Sequence, residues 1–222
     1  LVLTPERLTS SGTFNYKNST ITSKAFEFNP THLLSKSATL RIDSDVPGEY
    51  AFVAPDVTLD LDVETEITTG EVNLTKNRLY FPVNKYLTSM KEFAWYSNDQ
   101  KVEVQNADDQ ALKNSYFMSL KKDQDSLLFQ SEFATYNLTK FEIEAEKIPY
   151  IASADAHIFP HEGKAVIEKD AHLKSLEKAT IKADSNNIKH EIYDALINIF
   201  GRKKFTGYGK YDYIDKFDKK QV

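Results

Sequence analysis

Hydrophobic and polar residues alternate with a period of two along much of the chain. A period of two places every second side chain on the same face of a β-strand, so one face is buried and the other faces water. Two segments show the alternation most clearly: Val57, Leu59, Leu61 and Val63 alternate with polar residues, as do Phe141, Ile143 and Ala145. Further short strands are predicted at 51–53, 71–74, 101–104 and 165–167.

The segment 190–200 is apolar almost throughout. Its β-branched residues and the following Gly201 favour a strand that is buried on both faces. Helical signals are few: Asn84, just after Pro82, is suited to cap one turn over 84–90, and 108–113 is suited to another. We therefore expect less than about 15% helix. Turn clusters separate the strand units at 29–30, 46–48, 159–163 and 184–187.

Two kinds of repetition predict a stacked all-β scaffold. The strand phrase at 8–16 returns at 205–213, about one whole module later. Alanine, a spacer and a larger side chain also recur, because a bend between stacked strands leaves room only for a small side chain. The instances are Ala38-Thr39-Leu40, Phe93-Ala94-Trp95, Ala134-Thr135-Tyr136, Ala156-His157-Ile158, Ala171-His172-Leu173 and Ala179-Thr180-Ile181.

These patterns predict an all-β fold class, with short strands stacked as an open β-jellyroll or β-solenoid-like sheet pair. We expect residues 1–222 to form one repetitive module of a longer protein, with a soft internal boundary near residue 120. The sequence opens without Met or a charged leader, which also suggests an excised piece. The final strand of such a module leaves an open sheet edge, and neighbouring copies or domains of the same protein are the partners expected there.

Composition narrows the function classes. The net charge is −5 and no basic cluster is long enough to follow a phosphate backbone, so nucleic-acid binding is disfavoured. The absence of cysteine excludes disulfides, thiolate catalysis and cysteine-ligated metals. No apolar run is long enough for a transmembrane helix. The sequons at Asn18, Asn73 and Asn137 would matter only in a eukaryotic secretory pathway.

Potential metal ligands and carboxylate rows are the densest chemical groups. The first set is Asp155, His157, His161, Glu162 and His172, and the rows are Asp60, Asp62, Glu64 and Glu66, and Glu142, Glu144 and Glu146. The first set could hold zinc, and the rows could bind calcium or serve a glycosidase. Solvent-facing polar residues on turns and strands explain each set better. We therefore expect no metal site, no cofactor and no catalytic set.

The remaining sequence motifs indicate no enzymatic activity either. The nucleophile elbow, the P-loop and the dinucleotide-binding glycine motif are all absent. Gly207 and Gly209 are expected to relieve crowding between strands rather than bind phosphate. Tyr211 and Tyr213 would share one face of a regular strand, with Tyr208 on the other, and could present an aromatic surface for sugars.

Several phrases resemble known families. The segments 125–129, 134–138, 148–160 and 163–167 look like those of very large uncharacterised extracytoplasmic proteins of Bacteroidota, as do Tyr80-Phe81-Pro82, Thr88-Ser89-Met90 and Ala94-Trp95. The alanine phrases and Gly163-Lys164-Ala165-Val166-Ile167 are also similar to OstA-like lipopolysaccharide-transport domains, whose strands form an open jellyroll. The resemblance implies a periplasmic or cell-envelope location. It implies no functional residue.

The expected function is a non-enzymatic structural or transport module of a bacterial envelope protein. An apolar trough lined by Phe133, Phe141, Ile143 and Ile158 would hold lipid. The alternatives are a carbohydrate-binding or adhesin module, and a β-helix lyase or hydrolase.

Overall fold

The computed structural model describes residues 2–3, 8–73, 77–106, 115–183, 190–214 and 220–221. This part of the chain is all-β, as the alternation predicts. Its helical segments are three 3-10 turns, at Lys122–Gln124, His161–Gly163 and Lys169–Ala171, which confirms the low predicted helix content. The predictions at Leu74, 108–113 and 184–187 fall outside the described residues.

The strands between residues 67 and 167 are shorter than β2–β5 before them and β18–β20 after them. The first five are β1 (Val2–Leu3), β2 (Leu8–Tyr16), β3 (Ser19–Phe28), β4 (His32–Asp43) and β5 (Tyr50–Asp62). The central ones are β6 (Ile67–Val72), β7 (Leu79–Phe81), β8 (Tyr86–Thr88), β9 (Glu92–Tyr96), β10 (Lys101–Gln105), β11 (Tyr116–Ser119), β12 (Leu128–Gln130), β13 (Phe133–Asn137), β14 (Glu142–Glu146), β15 (Ile151–Ser153), β16 (Ala156–Phe159) and β17 (Ala165–Ile167). The last are β18 (Leu176–Ala183), β19 (His190–Gly201), β20 (Lys204–Tyr211), β21 (Tyr213–Ile214) and β22 (Lys220–Gln221).

The strands form a continuous antiparallel meander that is folded along one line. From β5 to β17 each arm of the meander, meaning the chain between one reversal and the next, consists of two halves that pair with different neighbours. In β5, Val53 pairs with β7, whereas residues 57–62 pair with β6. The bends divide the meander into two walls. Wall A contains the second half of β5 with β6, β9, β10, β13, β14 and β17, and wall B contains the first half of β5 with β7, β8, β11, β12, β15, β16, β18, β19 and β20.

Buried hydroxyl groups stabilise the fold line, where the backbone ladder is interrupted. The Oγ of Ser131, which is fully buried between β12 and β13, lies 2.9 Å from the carbonyl oxygen of Phe133 and 2.8 Å from that of Glu146. The hydroxyl oxygens of Ser23 and Ser35 lie 2.8 Å apart where β3 and β4 bend. A buried polar group without a partner costs about 1–3 kcal/mol, so these contacts favour the bend.

One apolar core fills the space between the walls. The ring of Phe52 contacts that of Phe93 across this space at 5.4 Å, and the ring of Phe81 contacts that of Tyr136 at 5.2 Å. Five of the six alanine phrases point both their alanine and their larger residue into the core, as predicted. The exception is Phe93-Ala94-Trp95, in which Trp95 points inward and Ala94 outward, because neighbouring residues of a strand face opposite ways.

Two contacts close the mouth, which is the side opposite the fold line. The Lys17 ammonium group lies 2.6 Å from the Glu66 carboxylate and 2.8 Å from the Asn98 side-chain oxygen. Residues 168–175, which we call the strap, cross from β17 in wall A to β18 in wall B. The strap is tied down where the backbone N–H of Ala171 donates to the carbonyl of Asn84 at 2.9 Å.

Three local predictions were wrong. No helical turn covers 84–90, because the Asn84 side chain donates to the carbonyl of Phe141 at 2.7 Å and residues 86–88 form β8. The segment 190–200 is a strand but is buried on one face only, since Phe200 is about half exposed. Val63 is exposed because β5 ends at Asp62.

The strand phrases at 8–16 and 205–213 occupy opposite ends of the sheet. The first is β2, which pairs with β3 and at two residues with β1, and most of the second is β20, which pairs with β19. Both strands are poorly buried along much of their length. The repeated phrase therefore lies at the two ends of the folded sheet, in β20 at one end and in β2, which only the two-residue β1 flanks, at the other.

Two buried threonines provide a test of these packing rules. The Thr88 Oγ1 lies 2.9 Å from the Tyr116 carbonyl and accepts from the Met90 N–H at 3.2 Å, whereas the Thr68 hydroxyl has no partner among the described residues. We expect Thr68→Val to raise the free energy of unfolding by about 1 kcal/mol and Thr88→Val to lower it by about 1–3 kcal/mol. Urea denaturation measures both. A loss of stability in Thr68→Val would show that this hydroxyl does have a partner.

Candidate functional site

A groove of about 1070 Å³ lies on the outer face of wall A. We call it the outer groove. Its floor is formed by outward-facing residues of β5, β6, β9 and β10, and its side by the bends of β3 and β4 near Ala25 and Lys36. The fold line positions this site, because residues 32–35 of β4 pair with residues 59–62 of β5 and the register shift after Ser35 places the bend of β4 beside the floor.

The strand register arranges the side chains on the floor of the outer groove in rows. Thr58 lies opposite Glu71, Glu71 opposite Glu92, and Glu92 opposite Gln105. Side chains directly opposite one another on neighbouring antiparallel strands point to the same side and are close enough to interact. This acid–amide row therefore runs across four strands, with hydroxyl, carboxylate and amide groups presented side by side.

The carboxylates of the outer groove differ in their surroundings. Asp60 Oδ1 lies 2.7 Å from His32 Nδ1, and Glu103 lies 2.9 Å from the Lys101 ammonium group. Glu71 and Glu92 have no ion-pair partner among the described residues, although they lie opposite each other. Two like charges in that position destabilise a sheet by up to about 1 kcal/mol. The pair of Glu71 and Glu92 therefore does not contribute to the stability of the sheet.

Tyr96 supplies the aromatic part of the outer groove. Burial, and then the neighbouring Glu103, raise the pKa of its hydroxyl above the ordinary value. The Lys101 ammonium group lies 4.4 Å from the centre of the ring. The side chain is therefore held in place by its neighbours rather than free to rotate, which suits it to form one end of a preformed groove.

The predicted metal ligands are dispersed. The His157 ring stacks on Tyr150 with centroids 4.2 Å apart, and the His172 ring nitrogen lies 2.5 Å from Glu168. His161 lies 3.9 Å from Glu162, in a turn. The part of the chain that the structure describes has no group of three or more acidic, histidine or cysteine side chains arranged to hold a metal ion.

The first carboxylate row is broken and the second is intact. Asp62 ends β5 and accepts the backbone N–H of Glu64 at 2.9 Å, while Glu66 pairs with Lys17 across the mouth. Asp62 therefore stabilises a turn, and Glu66 stabilises a contact between the walls. The prediction that all four carboxylates lie on one strand face was wrong for Glu64 and Glu66. The second row does occupy the outer face of β14, where Lys164 lies 3.1 Å from Glu144 and 2.9 Å from Glu146.

The residues predicted to line an apolar trough do not share one open space. Phe141, Ile143 and Ile158 are buried within the packed core. Phe133 is half-buried and points away from the core, because its neighbour Ala134 takes the inward position on β13. Its assignment to the trough was therefore wrong.

The glycines of β20 agree with their predicted role, and the predicted sharing of one face by Tyr211 and Tyr213 stays a prediction. A side chain at Gly207 would come within 2.8 Å of the Leu196 carbonyl, and one at Gly209 within 2.7 Å of Ala195. Both glycines thus allow close approach to β19. Tyr208 is 73% exposed and Tyr211 is 39% exposed. The Tyr213 side chain lies outside the described residues.

The strap is a feature that sequence patterns did not reveal. The Asp170 carboxylate contacts the ammonium groups of Lys121, at 2.8 Å, and Lys85, and these hydrogen bonds lower its pKa to about 2. Asp45 pairs with Lys169 at 2.9 Å on the same strap. A second concavity, of about 510 Å³, lies beside these groups. The Lys-Asp-Ala sequence alone gives no sign of this role, since its partners come from distant turns.

No protein-family model, no curated protein and no solved structure matches the chain. Among the described residues there is no helix with the length and apolar character needed to cross a membrane.

The pair of His32 and Asp60 gives a pH-dependent test of the groove geometry. The hydrogen bond to Asp60 raises the pKa of His32 above 6.5. This pair therefore stabilises the fold below about pH 6.5, and its contribution is lost as the pH rises through the raised pKa. We expect NMR titration to show the raised pKa of His32 in the wild-type protein and a pKa closer to 6.5 in the Asp60→Asn variant. Glu142→Gln, on the same wall, is the control. An unchanged His32 pKa in Asp60→Asn would contradict the contact.

Proposed function

We propose that this chain is a non-enzymatic binding module of a large extracytoplasmic bacterial protein, and that the outer groove holds an extended carbohydrate. The observation that carries the proposal is a preformed concave site of about 1070 Å³ on the outer face of a wall whose other face is packed against the core. The volume is at the upper end for small-ligand pockets. A rigid floor also limits the entropy lost when a ligand binds.

The floor chemistry suits a polyhydroxylated ligand. Sugar hydroxyls both donate and accept hydrogen bonds, and the acid–amide row offers carboxylate acceptors at Glu71 and Glu92 beside the amide of Gln105. Hydrogen bonds to carboxylates are about twice as strong as those between neutral groups. Neighbouring strands lie about 4.8 Å apart, so the row can contact several positions along an elongated ligand. Tyr96 adds a partly apolar surface at one end.

Charge narrows the class of carbohydrate. Carboxylates outnumber ammonium groups among the residues that line the outer groove: Glu27, Asp60, Glu71, Glu92 and Glu103 against Lys24 and Lys36. This negative potential disfavours uronate, sulfated and phosphorylated glycans. The ligand we propose is a neutral or amino-sugar oligosaccharide.

Glu92→Gln tests the proposal through binding and stability together. Glycan-array screening of neutral, amino-sugar and uronate oligosaccharides, followed by calorimetry on the hits, should show at least about a tenfold loss of affinity in this variant. The same change removes a like-charge contact with Glu71, so the free energy of unfolding should stay equal or rise by up to about 1 kcal/mol.

The matched control is Glu144→Gln, because Glu144 also lies on the outer face of wall A but is held by Lys164 outside the outer groove. It should leave affinity unchanged. An array on which no glycan binds the wild-type protein would remove the proposal, as would equal losses of affinity in the two variants.

A second candidate is a structural or transport module that takes lipid between the walls and joins neighbouring copies or domains through sheet edges. It is favoured by the continuous apolar core and by the strap, whose side-chain contacts with Lys85 and Lys121 lie at the surface. These side-chain contacts can open without breaking the pairing of β17 or β18 with their neighbours, and the backbone hydrogen bonds of the strap to Val83 and Asn84 would have to open with them. An acyl chain would then take the place of side-chain contacts near Ile143 and Ile158.

Native mass spectrometry of delipidated protein, incubated with phospholipid or lipid A, tests this candidate. Uptake should rise in Asp170→Asn, which weakens the attachment of the strap by removing the charge that Lys85 and Lys121 share. Lys164→Gln, which breaks exposed ion pairs away from the strap, should not change it. Absence of uptake in every variant would exclude lipid transport.

A further inference from the structure

The outer edge of β20 is the most exposed strand edge of the described C-terminal part of the sheet. β20 pairs with β19 on one side, and no described strand pairs with it on the other. All its residues except Phe205 are exposed, so neither face is covered. An edge of this kind presents unpaired backbone N–H and C=O groups that can extend the sheet with another strand.

Lysine usually protects such an edge, but here its effect is reduced. The Lys210 ammonium group is held 2.6 Å from Asp194 on the neighbouring strand β19. Lys204 lies at the other end of β20, over the ring of Phe200. Between the two lysines the strand carries only uncharged side chains, including Tyr208, which is 73% exposed. The centre of the edge is therefore free of the charge that would repel another strand.

We propose that two copies of this chain associate by antiparallel pairing of their β20 strands around a two-fold axis at Tyr208. In this register Tyr208 lies opposite its own symmetry mate. Phe205 lies opposite Tyr211 of the second copy, and Gly207 opposite Gly209. Lys204 then lies opposite Asp212, which places opposite charges together at both ends. The two-fold axis keeps the core-facing sides of both sheets on the same side.

The neighbouring registers are less favourable. Centring the axis on Gly207 places Lys204 opposite Lys210, twice by symmetry, and like charges directly opposite destabilise a sheet. Centring it on Gly209 pairs only residues 207–211 of β20 with one another and places Lys204 and Phe205 opposite Ile214 and Tyr213, which lie beyond the end of β20 at Tyr211. The Tyr208 register pairs residues 205–211 of β20 with one another, reaches only one residue beyond the strand, at Asp212, and contains no like-charge pair.

The contact area of one strand pair is small compared with that of stable dimers, so the association should be weak and concentration-dependent. The contact involves none of the residues of the outer groove. The proposed dimer can therefore be tested independently of carbohydrate or lipid binding.

Engineered cysteines test the register directly, because the chain contains no cysteine. Under mild oxidation Tyr208→Cys should form a covalent dimer at least about tenfold more efficiently than Thr206→Cys, whose predicted partner is residue 210 of the second copy rather than itself. The double variant Thr206→Cys/Lys210→Cys should recover cross-linking. Val63→Cys, at an exposed turn, reports random collisions.

A charge reversal provides a second test. In sedimentation equilibrium the Lys204→Glu variant should show a smaller dimer fraction than the wild-type protein, since the change places Glu opposite Asp212.

Three results would overturn the proposal. One is a wild-type protein that stays monomeric up to about 100 µM in sedimentation equilibrium. Another is cross-linking of Thr206→Cys as efficient as that of Tyr208→Cys, which would indicate a different register. The third is cross-linking of Tyr208→Cys only to a cysteine placed at Thr13 of β2 in a mixed sample, which would indicate head-to-tail pairing.

Discussion

The bend that folds the meander along one line is the constraint on which the rest of the structure depends. An antiparallel ladder satisfies its backbone groups only while the strands run on side by side, and every bend interrupts it. Here the interruption occurs at the same level in successive arms, and the hydroxyl groups of Ser131, Ser23 and Ser35 satisfy polar groups there. The two walls can then face each other and share one core.

The same bend separates the packed inner face of wall A from its outer face, which carries the proposed site. The inner face is committed to the core, where Phe93 and Tyr136 contact rings of wall B. The outer face is not needed for packing, so it can carry Glu71 beside Glu92 at a small cost in stability. Features that cost stability without helping the fold tend to occur at functional sites. The candidate site therefore lies on the outer face rather than between the walls.

Local periodicity was sufficient to predict the strands and much of the inward face, because the alternation of Ile143 with glutamate and the spacing of Ala134 from Tyr136 depend only on neighbours in sequence. It could not predict contacts between distant segments. Asn84 has the residue type and context of a helix cap, but its amide donates to the carbonyls of Phe141 and Ile167, which lie far along the chain. Tertiary contact overrode the local preference.

The outer groove illustrates the same limit. Glu71, Glu92 and Gln105 are unremarkable polar positions in three separate strands, and only the strand register makes them neighbours. The strap is hidden for a similar reason, since Lys85 and Lys121 meet Asp170 only after the walls have folded together. Alternation could identify which residues face outward. It could not show which of them share a row.

The arrangement of two facing walls is tested most directly by nuclear Overhauser effects between aromatic rings on strands that do not pair. Phe81 lies on β7 of wall B and Tyr136 on β13 of wall A, with ring centroids 5.2 Å apart, and Phe52 and Phe93 form a second such pair at 5.4 Å. The folded meander predicts ring-to-ring effects for both pairs. Their absence, in a sample that shows the cross-strand effect between the paired residues Ala134 and Ala145, would contradict the facing walls while leaving the strands intact.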